Sequence, residues 1–124
     1  MTDLYKITNL TPTISGFTAE ITFNPSHPVF AGHFPGQPVV PGVVLIEIAT
    51  AALSQFTGKA LFMKEAAVLK FLQMIDPRAT TVLLLDCSIV KGHADGYKAD
   101  FRYYSGESDF AKFKGIYFTQ IYTE

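Results

Sequence analysis

Residues 42 to 58 read GVVLIEIATAALSQFTG, a run with a single ionisable side chain, Glu47. Leu45, Ile46, Ala49, Ala52 and Leu53 are good or apolar helix positions, and Gly58 is suited to a left-handed stop, so the spacing predicts a helix from Gly42 to Phe56. The helix is apolar nearly all round, which implies burial on most faces. It does not read as a membrane span: the apolar stretch from Val39 to Leu53 is broken by Pro41 and Glu47 and falls short of the roughly 20 residues required.

What surrounds this helix reads as strand. Leu4 to Asn9 and Gly16 to Phe23 precede it, the second alternating Phe17, Ala19, Ile21 and Phe23 with polar partners. Leu61 to Leu72, Thr81 to Lys91, Tyr97 to Tyr104 and Phe110 to Tyr122 follow, with Tyr97, Ala99, Phe101 and Tyr103 on one face and Lys98, Asp100 and Arg102 on the other. The pairs Asp76-Pro77, Lys91-Gly92, Asp95-Gly96 and Ser105-Gly106 supply turns between them. One helix and several antiparallel strands make a single α+β domain over residues 1–124, in which the sheet must wrap the helix.

Between the second strand and the helix lies a stretch with five prolines, Pro25, Pro28, Pro35, Pro38 and Pro41, which is expected to form a long ordered loop with neither helix nor strand. His33 sits in that loop, fixed by its proline neighbours, fourteen positions before Glu47. A histidine on a stiff turn and a carboxylate in an apolar run read as an acid/base pair. Burying Glu47 without a partner would cost several kcal/mol, which favours a functional reason for it. His27 and His93 read instead as surface or packing residues.

Composition narrows the field. The chain is 48% hydrophobic and 17% charged, enough to build a core, and its net charge of -1 argues against a broad nucleic-acid surface. Cys87 is the only cysteine, which leaves no internal disulfide and no zinc spacing. It reads as an inert core residue. Met1 to Lys6 lacks the pattern of a signal peptide, so a cytoplasmic protein in a reducing compartment is expected.

His33-Phe34-Pro35, Pro38-Val39, Pro41-Gly42-Val43 and Glu47, in this order, resemble the motif of the FabZ-type 3-hydroxyacyl-acyl carrier protein dehydratases, and Lys70-Phe71 before a turn and apolar strand resembles the same family. The resemblance implies a hotdog fold, a long helix wrapped by a curved antiparallel sheet, assembled as a homodimer or higher homo-oligomer with active sites between subunits. It implies His33 and Glu47 as catalytic residues, and an acyl carrier protein as the partner that delivers the acyl thioester. In such a dehydration neutral His33 would take the proton from carbon 2, and a buried Glu47 with raised pKa would donate to the departing hydroxyl. The backbone N–H of Gly42, at the helix start, would stabilise charge on the thioester oxygen. Neither metal nor organic cofactor is expected.

Phe34 and Val43, within the motif, are candidate substrate contacts, and Phe62 and Phe71 are candidate linings of an acyl tunnel. Lys59, Lys64, Lys70, Arg78 and Lys91 are candidates for a basic patch facing an acidic carrier protein. Ala51 stands where the family often has Gln, a departure that bears on a secondary polar contact and on a specialised acyl or polyene pathway. A hotdog thioesterase and a noncatalytic acyl-thioester-binding subunit are the competing readings.

Overall fold

The computed structural model describes residues 4–31, 36, 38–92 and 96–119, with only the backbone of residues 31, 91 and 92. The elements in chain order are β1 (Tyr5–Pro12), β2 (Gly16–Phe23), α1 (Pro28–Ala31), α2 (Gly42–Thr57), β3 (Leu61–Phe71), β4 (Val82–Gly92), β5 (Gly96–Ser105) and β6 (Ser108–Thr119). The strands form one sheet in the order β1-β2-β4-β5-β6-β3, antiparallel at every pairing. Helix α2 lies between β2 and β3 in sequence, so the chain leaves one side of the sheet, passes through the helix and returns at the opposite edge.

Period-two alternation builds the face under the helix. Phe17, Ala19, Ile21 and Phe23 of β2, Leu83, Leu85 and Cys87 of β4, Ala99, Phe101 and Tyr103 of β5, and Ala111, Phe113 and Tyr117 of β6 are all buried. From α2, Val44, Leu45, Ile48, Ala49, Ala52 and Leu53 meet them. Gly16 is needed where β2 passes β4, because a Cβ there would stand 2.1 Å from the Cys87 carbonyl oxygen.

The helix begins and stops where its sequence says it should. Gly58 at φ 72° closes it, donating its N–H to the Ser54 carbonyl at 2.9 Å. Ser54 Oγ then accepts the Leu61 N–H at 3.1 Å, so the short link to β3 is held to the last turn. Deep in the core the Tyr103 hydroxyl donates to the Leu45 carbonyl. This bond gives the buried phenol a partner and fixes the helix along its own axis.

Two expectations need correcting. The proline-rich stretch contains one helical turn, α1, because Pro28 can occupy a first helical position without losing a needed N–H, and His27 Nδ1 accepts the Val29 N–H at 3.0 Å. Helix α2 is buried or half-buried over most of its circumference, as expected, but one stripe is not: within the single chain Val43 is 73% exposed and Glu47 and Gln55 are exposed, against the expectation of a buried Glu47. One sheet covers one side of a helix, and the single chain offers no second layer.

Strand β3 is an edge strand with two bulges against β6. Met63 pairs with Tyr117 but Glu65 with Ile116, and Ala67 pairs with Lys114 but Lys70 with Lys112, so each step inserts one extra residue in β3. Val68, inside the second bulge, has φ 53°, a left-handed backbone rarely adopted by a β-branched residue. Val68→Gly should therefore raise stability by up to about 1 kcal/mol, a net of relieved strain and added chain entropy, whereas Gly16→Ala should lower it by about 2 kcal/mol or more. Urea unfolding midpoints of the two variants, moving in opposite directions, are the check.

Candidate active site

The start of α2 is set by a backbone tether. Val40 donates its N–H to the Ile75 carbonyl at 2.9 Å, which joins the proline-rich stretch to the segment after β3. Pro41 is extended at φ -62° and ψ 144°, and its carbonyl accepts the Val44 N–H at 3.0 Å, opening the helix. The Gly42 N–H, at the first helical position, has no acceptor among the described residues. The positive end of the helix dipole adds to that donor.

A cavity of about 750 Å³ opens at this point. Its walls include Val39, Gly42 and Val43 from the helix entry, and Leu69, Phe71 and Met74 from β3 and beyond. The Phe71 ring lies directly over Gly42, where a Cβ would meet Cζ at 2.9 Å. Only glycine lets the aromatic wall approach the helix end so closely. A mostly apolar chamber with an unpaired helix-entry donor in its wall suits an acyl group whose carbonyl oxygen seeks a hydrogen bond.

Of the residues singled out by sequence, Gly42, Val43 and Phe71 come together here. Phe62 does not: it stands on the other face of the sheet, its ring centroid 6.4 Å from that of Phe118. The parity of the strand explains this, because residues nine apart on a regular strand face opposite ways, and two single-residue bulges leave that relation unchanged. Leu69 and Met74 were not anticipated, and the apolar run around Phe71 was the signal that could have found them. His33 and Phe34, and His93, lie outside the described residues.

Glu47 is placed one residue after Ile46, which lines the cavity, but its carboxylate is exposed in the single chain. The expectation of a buried Glu47 thus fails within one chain, since the helix face that carries it has no cover. Its charge is nevertheless felt by Tyr5, whose phenol is held above its ordinary value by burial first and by Glu47 second. Among the described residues no cluster of His, Cys, Asp and Glu is arranged to hold a metal ion, and no helix is long and apolar enough to cross a membrane.

Comparison with known proteins adds to this geometry. A family model for ApeI-like proteins, described as ApeI dehydratase, matches residues 11–114. The 3-hydroxyacyl-[acyl-carrier-protein] dehydratase FabZ of Enterococcus faecalis is 36% identical over 73 residues, which are 53% of this chain and 52% of the relative. The protein of the same description from Caldicellulosiruptor saccharolyticus is 31% identical over 94 residues, or 70% of this chain and 65% of the relative. The chain spans about half to two thirds of the length of these curated relatives.

Among solved structures, the dehydratase heterocomplex ApeI:P from Xenorhabdus doucetiae superposes with a TM-score of 0.69 at 23% identity, over 91% of this chain and 96% of that one. A protein from the thioesterase superfamily gives 0.63 at 13% identity, over 94% of this chain and 84% of that one. These likenesses establish the shared hotdog fold.

Cys87 behaves as the sequence suggested. It is buried, and burial first, with the charge of Asp100 second, pushes its thiol up to about 12 from an ordinary 9.0. Because the folded state holds this proton more tightly than the unfolded chain, the associated stability is intact below pH 9 and is lost as pH climbs toward 12, by roughly 4 kcal/mol at most at ~1.4 kcal/mol per unit. Burial also raises Tyr103 and Tyr117, which act in the same direction. Cys87 should resist a thiol reagent at pH 8 until urea unfolds the chain, and Cys87→Ala should blunt the alkaline loss of stability. Rapid native labelling would contradict both.

Proposed function

The chain belongs to the ApeI-like dehydratase family, and from that premise we propose that it is a hydro-lyase converting a (3R)-hydroxyacyl thioester, carried by an acyl carrier protein, to the trans-2-enoyl thioester and water. The observation that carries the reading is the match over residues 11–114, which contains the whole His33 to Glu47 motif and the apolar cavity at the α2 entry.

In this reading the acyl group lies against Phe71 and Val43, and Gly42 N–H donates to the thioester oxygen, where negative charge grows as carbon 2 loses its proton. His33 takes that proton on a neutral imidazole nitrogen. Glu47, protonated, gives its proton to the hydroxyl on carbon 3, the C–O bond breaks, and water leaves as the double bond forms. Return of the imidazolium proton to the Glu47 carboxylate resets the site. Polarisation by the backbone donor and two proton transfers suffice without a cofactor.

A homodimer supports this chemistry. The uncovered helix face with Val43 and Glu47, and the apolar edge strand with Val68, Leu69 and Phe71 exposed, are surfaces a second copy would cover. Covering Glu47 would desolvate its carboxyl and favour the protonated form that the acid role needs. The working compartment is the cytoplasm, and the pathway is fatty acid synthesis or a specialised acyl or polyene route.

The test follows loss of water from a (3R)-hydroxyacyl-carrier protein by mass spectrometry. Wild type should turn over, while His33→Ala and Glu47→Gln should each lose about 100-fold or more in kcat with the fold intact. Mixing the two dead variants should recover about a quarter of wild-type activity if each site draws on both subunits. Release of free thiol without water loss would point to a thioesterase instead.

A further inference from the structure

The face of the sheet turned away from α2 carries its own depression, of about 420 Å³, with Lys70, Arg102, Lys112 and Lys114 in its wall beside Asp86 and Asp100. A shallower one of about 200 Å³ continues it, sharing Lys114 and adding Lys98 and Glu65 over a floor of Ala67 and Gly115. Ala67, opposite Lys114 on this outer face, is small enough to leave the trough open.

The charges in this trough are not equally engaged. Arg102 is held by Asp109 at 2.8 Å and by Asp86 at 3.6 Å, and Lys112 by Asp109 at 3.4 Å. Lys70, Lys98 and Lys114 are exposed and form no ion pair with another described residue. The basic patch expected from sequence is different: Lys59 lies over the Tyr97 ring, Lys64 over Phe118, and Arg78 pairs with Asp76. The side chain of Lys91 lies outside the described residues. Of the described members of that set, only Lys70 belongs to the trough.

Register places the three unpaired lysines in a line. Lys70 of β3 is opposite Lys112 of β6, one diagonal step from Lys114. Lys114 is opposite Asp100 of β5, again one diagonal step from Lys98. Diagonal neighbours are roughly 7–8 Å apart, so the row crosses three strands with cations at nearly even intervals. Setting Lys70 opposite Lys112 and Lys112 opposite Arg102 places like charges together, which sheet formation alone disfavours.

Three ammonium groups so spaced set out charge along a line, which a single phosphate would engage only by drawing the outer two lysines inward. A helix matches the line without that, because carboxylates on successive turns recur about every 5–6 Å along one face, within reach of flexible lysine side chains. We propose that the Lys70–Lys114–Lys98 diagonal is the docking face for an acidic helix of the carrier protein that brings the thioester. This deepens the function proposed above and rests on it for the partner's identity. Lys70 adjoins Phe71, so a carrier seated on the diagonal stands one residue from the cavity wall, and pairing at the β3 edge would leave this face open.

The test uses the full chain, wild type and the triple variant Lys70→Glu/Lys98→Glu/Lys114→Glu, titrated into fluorescently labelled holo-acyl carrier protein by anisotropy. The variant should weaken Kd at least tenfold and flatten its salt dependence, and kcat/KM should fall similarly for carrier-bound substrate. For the same acyl group on N-acetylcysteamine, which carries no charge, kcat/KM should not change. The milder Lys70→Gln/Lys98→Gln/Lys114→Gln variant decides the matter should the reversal fail to fold, with about threefold or more weakening expected. Unchanged Kd in a folded variant, or no carrier binding by wild type, overturns the docking face. Absence of turnover on both substrates with charge-dependent binding intact would overturn the dehydratase reading and leave the docking face standing.

Discussion

Burial of α2 on the sheet, pinned by the Tyr103 hydroxyl to the Leu45 carbonyl, is the constraint from which the rest of the structure follows. Apolar burial alone would hold the helix against the sheet but let it slide along its axis, because the hydrophobic effect has no direction. The buried phenol removes that freedom. With the helix fixed lengthwise, its first residue is fixed too, and Gly42 meets Phe71 at the mouth of the cavity.

The two ends of α2 are tied by different chemistry. At its C-terminal end Gly58 and Ser54 close the last turn and start β3. At its N-terminal end no side chain among the described residues caps it, and a backbone bond between Val40 and Ile75 tethers it. An uncapped helix entry leaves a donor unspent, and a donor in the wall of an apolar chamber gains strength from the low dielectric around it. The same omission that weakens the helix locally equips the cavity.

Much of the fold was legible from local chemistry. The helix, the alternation in β2 and β5, and the glycine stop at position 58 each rest on short-range rules that tertiary contacts here reinforce. Less of the site was legible. Glu47 reads as buried because burial was argued from its neighbours in sequence, whereas exposure depends on what the sheet reaches. Phe62 and Phe71 read alike as aromatic residues on one strand, and only face parity separates them. The lysine diagonal could not be read at all, since β3, β6 and β5 are neighbours through pairings between residues far apart in sequence.

The second bulge in β3 sets which side each later residue serves. Were β3 to run without a bulge through the same residues from Ala67 to Lys70, position 71 would share the outer face with position 67, which pairs with Lys114. Of the whole strand only Leu61 is buried in the chain. A one-residue insertion just after Lys70 that no further bulge absorbs would turn Phe71 to the outer face and exchange the aromatic wall for another residue. Strand β3 is therefore the place where this scaffold can change what it accepts by shifts in length rather than by substitution.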